Sequence, residues 1–143
     1  MSNLLSLAFM ESITLDVLLT VEKVEQVLQA HLVFTNNTSE KILLDKYTVC
    51  LDGKFRNNVF EIANSKGKEV NYYGIMMKRL LSEDDYIVFE PGGVLKVTVT
   101  LNDAYRIEFG QKYSIKYYAF NPGLNESFPI MEMISNTVTI HYT

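Results

Sequence analysis

Two histidines, one cysteine and one acidic run are the residues of this chain whose types could support chemistry. His31 and His141 each fall in a run that alternates apolar and polar residues, on the side opposite the more apolar set. Without carboxylates at defined spacings, two histidines and Cys50 do not compose a zinc site, so both read as exposed or half-buried strand histidines. Cys50 has no second cysteine to pair with and no patterned His-Asn partner. It reads as a small core residue in a strand-like run rather than a nucleophile. His-Glu-x-x-His, Gly-x-Ser-x-Gly, the phosphate-binding Gly-Lys-Ser/Thr loop and Cys-x-x-Cys do not occur. The expectation is a chain with no catalytic residues, no metal and no cofactor.

The acidic run Glu83-Asp84-Asp85 could hold calcium or a basic partner. It lacks the alternating oxygen ligands of a calcium loop, and a solvated turn is the simpler reading. Lys66, Lys68 and the Met76-Met77-Lys78-Arg79 run are its basic counterparts, too small for a nucleic-acid groove. Leu124 and Phe128 sit on a segment bounded by Pro122 and Pro129. Apolar side chains so placed are either tucked under the loop or offered to a partner. Glu83, Asp84, Asp85, Lys66, Lys68, Leu124 and Phe128 are therefore the candidate contacts for a protein partner. On the loop, Phe128→Ala is expected to weaken binding more than Asp84→Ala.

The elements that must position these residues are strands. Leu95, Val97, Val99 and Leu101 alternate with Lys96, Thr98 and Thr100 after a Pro91-Gly92-Gly93 reversal, as in a half-buried antiparallel strand. Ile13, Leu15, Val17, Leu19 and Val21 form a similar run, followed by a charged turn expected at residues 22–25. Ala30, Leu32 and Phe34 face one way in the next strand, and Asn36 to Glu40 is turn chemistry despite its overlapping Asn-x-Thr/Ser sequons. A third strand is expected over residues 41–51. Residues 59–62 and 68–73 flank Asn64-Ser65-Lys66-Gly67, a hairpin signal, and a further strand is expected within 72–81. A brief helical turn near residues 102–105, capped by Asn102 or Asp103, precedes a strand over 114–120. Tyr113, three residues after Gly110, fits a tyrosine corner, returning its hydroxyl to nearby backbone. Val138, Ile140 and Tyr142 define the last strand. Seven to nine short strands with regular turn signals predict one all-β domain over 1–143, an immunoglobulin-like antiparallel β-sandwich.

Composition agrees with a compact fold of this kind. The chain has 143 residues and a net charge of −4, which disfavours nucleic acid. No apolar run reaches membrane-spanning length. Met1 to Met10 is apolar but has no basic start and is followed by Glu11 and Asp16, so no signal peptide is evident. With a single cysteine, a cytoplasmic rather than secreted location is the expectation.

The motifs, in order, resemble the β-sandwich pro-domain that precedes deuterolysin-type (aspzincin) zinc endopeptidases, including the lysine-specific ones. The residues that carry the resemblance are Leu15-Asp16-Val17-Leu18-Leu19-Thr20, Phe34-Thr35-Asn36-Asn37-Thr38, Gly74-Ile75, Leu81-Ser82-Glu83-Asp84-Asp85-Tyr86 and Phe89-Glu90-Pro91-Gly92-Gly93. Tyr105, Gly110-Gln111-Lys112-Tyr113 and Ser135-Asn136-Thr137-Val138-Thr139-Ile140 complete the set. The catalytic His-Glu-x-x-His that follows such a pro-domain is not in these residues. The resemblance thus implies a free-standing pro-domain fold: a non-catalytic inhibitor, chaperone or immunity-type protector that binds an aspzincin-like metallopeptidase. The alternative is a generic immunoglobulin-like interaction module for another protein, a peptide or a glycan.

Overall fold

The computed structural model describes residues 15–143. Ile13, the expected start of the first strand, and residues 1–10 lie outside them. Among the described residues eight strands form: β1 (Asp16–Val24), β2 (Val27–Thr35), β3 (Ile42–Asp45), β4 (Phe60–Asn64), β5 (Tyr86–Phe89), β6 (Val94–Thr100), β7 (Gln111–Asn121) and β8 (Met131–Tyr142). The order β4-β7-β8-β1-β2-β6 makes one six-stranded sheet, and β3-β5 makes a second, smaller one. This is an all-β sandwich. It is not wholly antiparallel, because β1 runs parallel to β8, joined at the single pair Val17↔Ser135.

The large sheet is folded at that seam. Phe34 of β2 meets Tyr117 of β7 edge-on, with ring centroids 5.5 Å apart. The two strands are three steps apart in the order, about 14 Å in a flat sheet. The contact therefore requires β6-β2-β1 and β4-β7-β8 to face each other. Between them lie Leu19, Leu28, Leu32, Phe34, Ile62, Ile115, Tyr117 and Met133, all buried. The period-2 pattern sends these residues inward from both halves.

Two side chains replace backbone pairing where the ladder stops. Ser135 and Asn136 together oppose Tyr117, a bulge that shifts the alternation of β8. Tyr117 N–H donates to Ser135 Oγ at 2.9 Å. Asn136 then faces β1, where its Oδ1 accepts from Leu19 N–H at 2.8 Å and its Nδ2 donates to Leu19 C=O at 3.0 Å. Asn121 does the same for the small sheet, accepting from Asp45 N–H and donating to Leu43 C=O, each at 2.8 Å.

Several local features follow the sequence. Glu90-Pro91-Gly92-Gly93 closes a turn with Gly93 N–H on Glu90 C=O at 2.9 Å, and Gly92 takes φ 79, which only glycine adopts easily. Tyr113 forms the expected corner: its hydroxyl accepts from Glu108 N–H, five residues upstream, at 2.6 Å. Asn36 is fully buried, with Nδ2 donating to Glu40 and Phe89 carbonyls, so its sequon serves the turn.

Others do not. The charged turn expected at residues 22–25 is strand up to Val24, and Glu25-Gln26 alone makes the reversal, with Glu25 at φ 57. The third strand ends at Asp45 instead of 51, because Asp45 Oδ2 accepts from Thr48 N–H and Oγ–H and curls the chain into turns. Cys50 lies in those turns with φ 55, not in a strand. Residues 68–73 contribute only isolated bridges, Ala63↔Glu69 and Tyr72↔Tyr105, and residues 73–81 form no strand. The turn at Leu101–Asp103 exists, but neither Asn102 nor Asp103 caps it. Asn102 instead accepts from Leu28 N–H and donates to the Tyr142 hydroxyl.

Candidate protein-contact surface

The Ser82–Asp85 region and the loop after β7 meet at one end of the sandwich. Ser82 and Asp85 form a capping box: Asp84 N–H donates to Ser82 Oγ, and Ser82 N–H to Asp85 Oδ2. Asp85 is thereby a structural residue, half-buried and also paired with Arg79 at 3.0 Å. Glu83 and Asp84 remain exposed. Tyr86, the next residue, donates its hydroxyl to Pro122 C=O at 2.9 Å and fastens the acidic turn to the loop.

Beneath the turn lies an ionic cluster with no local sequence signature. The Asp45 carboxylate is fully buried. Its Oδ2 accepts from Thr48 and from the Arg79 guanidinium, which also stacks on the Tyr47 ring at 4.8 Å. Asp45 and Arg79 are far apart in sequence, and only the tertiary fold brings them together. Their ion pair pins residues 73–81 to the small sheet.

The loop of residues 122–129 is stapled to itself. Leu124 N–H donates to Phe128 C=O at 3.0 Å and Phe128 N–H to Asn125 C=O at 3.1 Å. Asn125 Oδ1 also accepts from Ser127 N–H at 2.9 Å. A side chain on Gly123 would sit 2.6 Å from Ile130 N, so the loop base closes only around glycine. Leu124 and Phe128 are half-buried. The flanking Phe120 and Ile130 carry the exposed apolar area, at 50% and 64% of their surface. Alternation finds Phe120, since its neighbours Ala119 and Asn121 point inward.

Lys66 and Lys68 are not part of this end. Asn64↔Tyr113 places their turn beside the start of β7, whereas the Pro-bounded loop leaves its end. Eight residues of strand, about 27 Å, lie between. Their backbone N–H groups donate to Asn64 Oδ1 at 3.0 Å, which fixes the turn and leaves both side chains exposed.

His31 is half-buried on the outer face, its ring nitrogens 2.8 Å from Thr98 Oγ1 and 2.9 Å from Glu22 Oε1. His141 is exposed. Burial and then the Asp52 charge push the Cys50 thiol up to about 12, so it is an unreactive thiol at neutral pH. Among the described residues, no group of three or more His, Cys, Asp or Glu side chains is placed to hold a metal ion. No helix among them is long and apolar enough to cross a membrane. No protein-family model matches the chain, and no curated protein is significantly similar to it.

Proposed function

We propose that this chain is a non-catalytic binding protein that acts through the end of its sandwich, and that its partner is an aspzincin-like metallopeptidase, which it inhibits or protects against. The observation that carries the binding reading is the stapled loop of residues 122–129, bracketed by exposed Phe120 and Ile130. A contact loop already fixed in one conformation loses little entropy on association, which is where preorganised binders gain affinity. Exposed apolar side chains at a rigid loop base, with the acidic turn at the rim, fit the anatomy of a protein interface. The choice of partner rests on the ordered motifs that resemble the aspzincin pro-domain.

Calorimetric titration of an aspzincin-type peptidase with this protein tests the reading. Binding is expected, weakened more by Phe120→Ala or Phe128→Ala than by Asp84→Ala, because rim charges govern on-rate more than affinity. Phe128 is half-buried, so its variant is read alongside its thermal midpoint. Absence of heat at a large molar excess overturns the peptidase reading. Recovery of a glycan or peptide ligand at the same loop would favour the general interaction module.

A further inference from the structure

Residues 73–81 are anchored at both ends, and of the backbone groups between them only the Met77 N–H and the Ile75 C=O have partners among the described residues. Tyr73 N–H donates to Ala104 C=O at 2.8 Å, and Arg79 is held by Asp45 and Asp85. From Gly74 to Leu81, the one backbone-to-backbone bond among the described residues is Met77 N–H to Arg56 C=O. Ile75, Met76, Leu80 and Leu81 are exposed, Leu80 to 94%. Tethering prevents these side chains from retreating into the core, and the free backbone groups resemble those of an unprotected edge strand. A surface of this kind is usually covered by something.

The charges around it point to what covers it. Along the chain the order is basic, apolar, acidic: Lys78, then Leu80-Leu81, then Glu83-Asp84. Among the described residues none of Lys78, Glu83 and Asp84 is in an ion pair. Reversed, this order is its own complement. If two copies meet antiparallel about a two-fold axis near Leu81, Lys78 of one approaches the Glu83–Asp84 turn of the other, and the leucines pack together. A two-fold contact of this type closes at two subunits and leaves no free end. An anionic membrane fits less well, since Glu83 and Asp84 would be pressed against like charge.

We propose that the segment from Lys78 to Asp84 is the contact between two copies of this chain in a symmetric dimer. Leu80 and Leu81 bury the apolar area, and the Lys78–Asp84 and Lys78–Glu83 pairs set the register. The dimer shares Glu83 and Asp84 with the rim of the proposed peptidase surface but not the loop of residues 122–129, and sedimentation of this chain alone reads dimerisation without any peptidase.

Sedimentation across a concentration series tests it, with thermal midpoints confirming that each variant is folded. The wild-type chain is expected to double its mass with rising concentration, and more readily at low salt. Leu80→Asp should leave a monomer. Lys78→Glu should weaken dimerisation about tenfold or more by setting like charges opposite each other. Reversing all three charges, Lys78→Glu with Glu83→Lys and Asp84→Lys, should restore it. A monomer up to ~0.5 mM, which would put any dissociation constant in the millimolar range, overturns the proposal. So does a dimer that survives Leu80→Asp, or a wild-type monomer that binds anionic vesicles instead.

Discussion

Arg79→Ala removes the cation that pairs with the buried Asp45 carboxylate. Asp45 Oδ2 would keep its bonds from Thr48 N–H and Oγ–H, and Oδ1 has no donor among the described residues. Neutral donors do not offset the loss of hydration of a fully buried charge. Breaking a buried pair from one side costs about 3–5 kcal/mol. Arg79 is itself 16% exposed at its side chain, so water can enter its place and the lower half of that range is expected. Losing the stack on Tyr47 adds about 0.5–1 kcal/mol. With ~3 °C per kcal/mol for a domain near this size, the thermal midpoint should fall by about 10–15 °C. Urea unfolding with an unchanged m value would assign the loss to stability rather than to a changed unfolded state. Asp45→Asn introduced into Arg79→Ala should recover part of it, because the buried group is then neutral. A loss below ~1 kcal/mol, or no recovery in the double variant, refutes the ionic latch.

Asn136→Ala should cost about 1–2 kcal/mol in urea unfolding, because it leaves the Leu19 N–H and C=O without partners at the β1–β8 seam; a neutral outcome means that the seam does not depend on it. Tyr105→Phe strips a hydroxyl that donates to Asn58 Oδ1 at 2.6 Å and accepts from Phe60 N–H at 3.0 Å, and should cost about 1–3 kcal/mol by the same assay. Alkaline pH should destabilise the fold. The Cys50 thiol is raised to about 12 by burial, so the unfolded chain releases this proton first, near pH ~8.5. The stabilisation is complete below that pH and is lost as pH rises toward the folded value. Burial raises the Tyr105 and Tyr117 hydroxyls too, so their contributions fall away in the same direction above pH ~10. Urea midpoints at pH 8 and pH 10 should differ, less so in Cys50→Ala, and equal midpoints contradict the assignment.

What could be read from the sequence was local. Alternation located β1, β2, β6 and the end of β8 because each buries one face, and a period of two is then imposed residue by residue. Gly92 and Tyr113 were legible because their turn and corner are built from neighbours within a few positions. The misreadings arose where a side chain overrode the backbone. Residues 41–51 have strand composition, yet the Asp45 carboxylate draws Thr48 back. Residues 73–81 are apolar enough for a strand, but the Tyr72 hydroxyl donates to Ile75 C=O and Arg79 is taken by Asp45, so no ladder partner is reached. At the contact surface, Leu124 and Phe128 were visible between prolines. Phe120 was legible too, because alternation along β7 turns it outward, whereas the exposure of Ile130 depends on how the loop closes at Gly123. The separation of Lys66 and Lys68 from the acidic turn is set by the register of β4 on β7, which local sequence does not carry.

We propose that this sandwich binds an aspzincin-type peptidase. Titrating an aspzincin-type peptidase with the wild-type protein, and following hydrolysis of a protein substrate, tests it most directly. The account predicts that activity falls in proportion to added protein until one equivalent is present, and that Phe120→Ala shifts the curve to higher concentration. Undiminished peptidase activity at a hundredfold excess, which is roughly what an affinity too weak to matter would give, would contradict it.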